Sequence, residues 1–109
     1  MHWNPLNKLE QLEEIRQASF TRPQVIFKHS TRCAISSMAK NRLDKAILPE
    51  GVEFHYLDLI QYRSISNEIA KSFGVDHESP QVLLIKEGTC IFDTSHSGIS
   101  MTVLEEALH

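Results

Sequence analysis

The sequence predicts an α/β fold, one small mixed sheet with helices on both faces, and three observations carry that prediction. Short β-branched runs at Gln24–His29 and at residues 52–59 flank a helical pattern, as in a parallel βαβ unit. A second pair of runs, residues 82–85 and 89–93, is separated only by Lys86, Glu87 and Gly88, which demands an antiparallel hairpin. Segments with helical spacing open and close the chain. At 109 residues, 41% hydrophobic and 23% charged, the composition fits a single globular domain over residues 1–109, not a disordered, collagen-like or coiled-coil chain.

Asn4 before Pro5 reads as the cap and first position of a helix, with Leu6, Leu9, Leu12, Ile15 and Ala18 following at helical spacing. Beyond the breaker at Thr21, Arg22 and Pro23, the Val25, Ile26, Phe27 run has the composition of a buried central strand. Ser30, Thr31 and Arg32 lead into a second helix with Ile35, Met38, Ala39, Leu43, Ala46 and Ile47 on its inner face, stopped by Pro49 and Gly51. Residues 52–59 form the next strand, and Ser64 reads as the cap of a third helix carrying Ile65, Ile69, Ala70 and Phe73 and ended by Gly74. In the hairpin, Cys90 and Phe92 share a face by the period of two. The last helix opens at Ser100 or at Thr102, the latter with Glu105 as a capping box, and carries Val103, Leu104, Ala107 and Leu108. This order matches a thioredoxin-like three-layer sandwich: a mixed four-stranded sheet, helices on both faces, and an extra N-terminal helix. On topology alone the match is an analogy that other α/β sandwiches share.

Eleven basic against fourteen acidic residues give a formal net charge of −3. No basic run exceeds a pair, which argues against nucleic-acid and membrane partners. No apolar run approaches the roughly 20 residues of a bilayer span, and no signal-peptide pattern opens the chain, so a cytoplasmic location is expected. Two cysteines, Cys33 and Cys90, are too few for a disulfide scaffold; in a reducing compartment each is a free or redox-active thiol. Paired carboxylates in a catalytic context, a Gly-rich phosphate loop and G-x-S-x-G are all absent, leaving hydrolase and nucleotide-enzyme readings unsupported.

Cys33 lies just past the first strand and at the start of the second helix, where unpaired N–H groups and the helix dipole favour an anion. Lys28 and Arg32 add positive charge nearby in sequence, the setting of a reactive thiolate. The alternative, a small buried hydrophobe, suits a Ser, Thr and Arg neighbourhood poorly. The segment Cys33-Ala34-Ile35-Ser36 is C-x-x-S, so an adduct on Cys33 must be cleared by another thiol. Ser36 either hydrogen-bonds the thiolate from one turn away, or faces solvent or bonds back to its own helix. Pro80, within His77-Glu78-Ser79-Pro80-Gln81, either follows a cis peptide bond or is an ordinary loop breaker. Cys90 reads as core packing; it resolves a Cys33 adduct only if the Cα atoms come within about 7 Å. His29 with Cys33 supplies too few ligands for zinc, so no metal is expected. Ser95, His96, Ser97 and Gly98 read as a loop.

The segment Lys28-His29-Ser30-Thr31-Arg32-Cys33-Ala34-Ile35-Ser36, together with His77-Glu78-Ser79-Pro80-Gln81, resembles the YtxJ-type monothiol bacilliredoxins of the bacillithiol system. The family pattern sets K-H-S ahead of a T-C-P-I-S active site and carries an H-E-S-P-Q loop, and the similarity in element order covers nearly the whole chain. The resemblance implies a thioredoxin-like fold, a bacterial cytosol and a monothiol thiol–disulfide oxidoreductase that reduces mixed disulfides between proteins and a small thiol. Cys33 matches the catalytic cysteine. Thr31, Arg32, Ala34, Ser36, Ser79, Pro80 and Gln81 are then expected to stabilise its thiolate or line the substrate site. The expected co-substrate is bacillithiol or another low-molecular-weight thiol, with no tightly bound cofactor, and the expected partners are S-bacillithiolated proteins. Two departures stand out: Arg32 replaces a common Thr, and Ala34 replaces a Pro suited to the first helical turn. Two further readings stay open, a monothiol-glutaredoxin-like iron–sulfur carrier, although C-G-F-S is absent, and a non-enzymatic thioredoxin-like redox sensor or binding module.

Overall fold

Six consecutive buried residues, Gln24–His29, form the central strand, β2, of the computed structural model, which describes residues Met1–His109. The other elements in chain order are β1 (Asn4–Pro5), α1 (Glu10–Ala18), α2 (Ala34–Lys45), β3 (Glu53–Asp58), α3 (Arg63–Phe73), β4 (Gln81–Lys86), β5 (Thr89–Ser95), a 3₁₀ turn (His96–Gly98) and α4 (Met101–Leu108). The sheet runs β1-β3-β2-β4-β5, with β1, β3 and β2 parallel and β2, β4 and β5 antiparallel in succession. A βαβ unit and a hairpin thus share one sheet, as expected, with β2 paired on both edges and its side chains buried on both faces.

Alternation along β2 creates two cores. Ile26 joins Leu12 and Ile15 of α1, Ile65 and Ile69 of α3, and Leu83 and Ile85 of β4 on one face. Val25 and Phe27 join Ala39 and Leu43 of α2, Phe54, Leu84, and Met101 and Leu104 of α4 on the other. The three layers follow directly from this partition.

Four details correct the sequence reading. The predicted four-stranded sheet gains a fifth strand, because Asn4 and Pro5 do not open α1 but pair with His55 and Tyr56 of β3. Proline has no N–H to contribute and fits an edge strand without loss, and Trp3 beside it packs on Phe27, Phe54 and Tyr56 while its Nε1 donates to Asp44 at 2.7 Å. Gln11 Oε1 instead accepts from the Asn7 and Lys8 amides in the turn ahead of α1, whose N-cap, Leu9, makes no side-chain capping bond. In α2 the inner stripe is Ser36, Ala39 and Leu43; Ile35, Met38 and Ile47 are exposed, lying off that stripe or beyond the helix end. Helix α3 is capped at Tyr62 rather than Ser64, while Gly74 closes it at φ +66° as expected. Last, a β-bulge between Leu84 and Ile85 pairs Ile85 with Cys90 but Leu84 with Phe92. The extra residue, Ile91, breaks the period of two, so Cys90 packs with the α1/α3 core and Phe92 with the α2/α4 core.

The hairpin tip has both loop residues at positive φ, Glu87 at 54° and Gly88 at 83°, the backbone a two-residue turn requires. Ser19 at the end of α1 holds it, its carbonyl accepting from Glu87 N and its Oγ from Gly88 N. At α4, Ser100 is the cap, accepting from the Val103 amide at 3.2 Å, and the Thr102 capping box does not form.

The facing of α2 gives a direct test. Leu43→Ala should cost about 2–5 kcal/mol in urea unfolding, whereas Met38→Ala, at an exposed position, should change stability by no more than about 0.5 kcal/mol; comparable losses would contradict this orientation.

Candidate active site

The first helical residue of α2 is Ala34, and Cys33 is its N-cap, with φ −111° and ψ 120°. Cys33 N donates to Ser30 O at 3.2 Å and Cys33 O accepts from Ser37 N at 3.0 Å, so the turn from β2 into α2 is closed on both sides of the cysteine. Cys33 is half-buried, while Thr31, Arg32 and Ala34 around it are exposed. The first amides of α2 have no intrahelical partner, and the Cys33 side chain makes no capping hydrogen bond to them.

Three other chain segments reach this end of the sheet. Antiparallel pairing sets Gln81 beside Lys28, which brings Pro80 to the end of β2 from which the Cys33 turn departs. The Ser79–Pro80 bond is cis. His96 N donates to Pro80 O at 3.1 Å, so the turn read only as a loop before α4 is fastened to the proline segment, and His96 Nε2 lies 3.8 Å from a Glu78 carboxylate oxygen. From β3, Asp58 Oδ1 accepts from the Ile60 amide at 3.1 Å at the start of the turn into α3.

Ser36 fits neither of the orientations its spacing suggested as alternatives to the thiolate. It is fully buried, its Oγ accepts from the Ser30 amide at 3.0 Å and lies 2.6 Å from His29 Nδ1. His29 is 5% exposed and packs its ring against Phe27 and Tyr56. Burial, with Lys40 nearby, holds its imidazole below the ordinary histidine range, against the opposing pull of Asp58 and Asp44.

Lys28 also departs from its expected role as positive charge beside the thiol. One residue before His29, it belongs to the opposite face of β2, is fully buried, and has its Nζ 3.0 Å from His77 Nδ1, with Ser66 Oγ of α3 at 3.4 Å from the same nitrogen. Its ammonium thus supports the His77 segment from the α1/α3 layer. Desolvation lowers its pKa to about 8, only partly offset by Glu78 and Asp93. Gln81, expected to line the substrate site, is buried and braces the same segment: Nε2 donates to Asp76 O at 3.0 Å and to Asp93 Oδ2 at 3.3 Å, and Oε1 accepts from Glu78 N. Ser79 Oγ is enclosed without a hydrogen-bond partner.

Cys90 is on the far face of the sheet from α2, with its Sγ 3.3 Å from Phe92 O, and burial raises its pKa above the usual thiol value. Both cysteines are free. His29, Lys28 and His77 are the participants that sequence reasoning underrated. The available signal was the adjacent pair Lys28 and His29 at the end of a strand whose centre, Val25-Ile26-Phe27, is apolar, each of which must find a partner when buried.

Residues 4–104 match the family model described as monothiol bacilliredoxin BrxC. The chain belongs to the monothiol bacilliredoxin family. A solved structure described as having a thioredoxin fold superposes on this bacilliredoxin-family chain with a TM-score of 0.85 at 28% identity, covering 96% of this chain and 92% of the other. Mitochondrial thioredoxin 3 from Saccharomyces cerevisiae gives 0.68 at 27% identity, with 95% and 91% covered. Thioredoxin from Trypanosoma brucei brucei gives 0.75 at 17% identity over 98% and 88%, a likeness of fold alone. The thioredoxin-like architecture and a general thiol-redox character follow for this family member, and no helix in it is long and apolar enough to cross a membrane.

The buried lysine yields a pH-dependent prediction. Because its pKa is about 8 when folded and 10.5 when unfolded, the unfolded chain holds more protons between those values, and this residue's contribution to stability rises with pH across that window. Lys28→Met, which removes the buried charge, should therefore raise stability by on the order of 2 kcal/mol at pH 6.5 and by much less at pH 10.5. Equal effects at both pH values in thermal unfolding would rule this out.

Proposed function

We propose that this chain is a monothiol disulfide reductase that removes a low-molecular-weight thiol from modified protein cysteines, taking the small thiol onto Cys33. The observation that carries this reading is a half-buried cysteine at the N-cap of α2 with a serine, not a second thiol, one turn on, and the other cysteine across the sheet. The Cys33 thiolate attacks the small-thiol sulfur of a protein mixed disulfide; a new S–S bond forms at Cys33, the old one breaks, and the protein thiolate leaves. A second small-thiol molecule then attacks the capped Cys33, regenerating it and releasing the symmetric small-thiol disulfide. The protein cysteine is reduced and the one free small thiol consumed is oxidised, its partner having already been at the disulfide level in the substrate, so electrons balance without a bound cofactor. Family membership favours bacillithiol as the small thiol and a bacterial cytosol as the setting. The exposed Thr31, Arg32 and Ala34 are the residues whose side chains we expect to meet the substrate, a modified protein rather than nucleic acid or membrane, while Ser79, its hydroxyl enclosed, and the buried Pro80 would act through their backbone.

Reduced protein incubated with a bacillithiol-modified or a glutathione-modified protein and excess free thiol should turn over many equivalents. Cys33→Ser should lose at least about a hundredfold in rate, equivalent to about 2.7 kcal/mol of barrier, while Cys90→Ser retains near-wild-type turnover. One equivalent transferred and no more would indicate a sensor, and loss in Cys90→Ser would refute the single-thiol mechanism.

A further inference from the structure

Lys28 carries a fully buried ammonium whose hydrogen-bond partner is Nδ1 of His77, at 3.0 Å, on an otherwise exposed imidazole. An ammonium only donates, so Nδ1 is the unprotonated nitrogen and the single proton of the neutral ring is on Nε2. Ser66 Oγ of α3, fully buried and 3.4 Å from the same Nδ1, approaches as a second donor. Residues 77–80 are held elsewhere by amides: Gln81 Oε1 accepts from Glu78 N at 3.3 Å, and His96 N donates to Pro80 O at 3.1 Å. Amides do not titrate near neutral pH, whereas an imidazole takes up a second proton in the mildly acid range. On His77 that proton has only Nδ1 to go to. It would remove the acceptor and set two cations 3.0 Å apart.

We propose that Lys28 and His77 are positioning residues of the candidate active site: the buried ammonium holds the neutral imidazole, and with it residues 77–80, while protonation of the ring releases that hold. The inference rests on the reductase reading, in which the Ser79 and Pro80 backbone meets the substrate. The ring takes one proton from water at Nδ1 and returns it as the pH rises; no covalent bond breaks and no electron moves. Lys28 on β2 and Arg63 on α3 are the positive charges facing the ring, and Glu78 is the negative one; Asp93 of β5 and Glu78 face the lysine. The two cations and burial hold His77 below the ordinary histidine range, so the contact is intact near pH 7 and is lost on the acid side. A buried charge of this kind costs stability. What it supplies in return is a fixed place for a segment that the sheet pairing does not include.

The test follows the His77 ring and the Glu78 and Ser79 amides by nitrogen-15 NMR, and the turnover of a bacillithiol-modified protein at saturating bacillithiol, across about pH 5 to 8. Lys28→Met, which loses the buried charge and is expected to fold, should raise the ring's titration midpoint by at least about one unit, the effect of removing a close like charge. It should also raise KM for the modified protein about three- to tenfold at neutral pH, the worth of one net hydrogen bond, with the rate of Cys33 alkylation by iodoacetamide unchanged. In the wild-type protein KM should rise by a similar factor as the pH falls through the ring's midpoint, and the two amides should shift with it. His77→Asn offers Lys28 an amide oxygen that cannot be protonated. It should keep the wild-type KM at neutral pH and lose the acid-side rise, although His96 and Glu78, 3.8 Å apart, are still present to titrate. An unchanged midpoint in Lys28→Met, a wild-type KM that is flat across the ring's titration, or an acid-side rise that persists in His77→Asn overturns the proposal. Failure of the reductase reading would appear separately, as absent wild-type turnover at every pH, while the ring and amide readouts, which use no substrate, still decide whether Lys28 holds the segment.

Discussion

Burial of β2 on both faces and both edges is the constraint on which the rest of this molecule depends. A strand so enclosed presents successive side chains to opposite layers, and near its end it carries two polar residues in succession, Lys28 and His29. Neither can be left without a partner at acceptable cost. His29 therefore reaches Ser36 in the layer of α2 and α4, and Lys28 reaches His77 in the layer of α1 and α3. The two adjacent residues fasten two different segments to the same strand end.

Those segments carry the candidate chemistry. On one side, Ser36 and the Ser30 amide hold the turn that presents Cys33 at the helix start. On the other, Lys28, Gln81 and the His96 amide hold residues 77–80, whose cis Ser79–Pro80 bond lies at the same sheet end. Hydrogen-bonded support on both sides leaves Thr31, Arg32 and Ala34 exposed around Cys33. The apolar residues Ile35 and Met38, in the first half of α2, are exposed as well.

The legible parts of the sequence were those governed by local pattern. The βαβ unit, the hairpin with its Glu87–Gly88 tip and the Gly74 helix stop all depend on composition and φ preference within a few residues, and they appear where the pattern sets them. Pattern failed where a distant partner competed with it. Asn4 and Pro5 have a helix-starting signature, yet the open edge of β3 draws them into the sheet. The apolar residues of α2 suggested a wider inner face than the strand below can cover, leaving only the Ser36, Ala39, Leu43 stripe inside. One extra residue in β5 sent Cys90 and Phe92 to different cores, which no count of alternation could reveal.

By itself the sequence determined the covalent possibilities: one cysteine at a helix start, and a serine in place of a second thiol at the next turn. That much is a matter of which atoms exist and how far apart the helix repeat places them. Only the tertiary structure decided what those atoms are bonded to. Whether Ser36 points to solvent, to sulfur or to His29, and whether Lys28 charges the thiol or the layer behind it, depends on which face of β2 each side chain occupies and which segment is packed there. Hydrogen-bond valences are filled by neighbours in space, and those neighbours come from parts of the chain dozens of residues away.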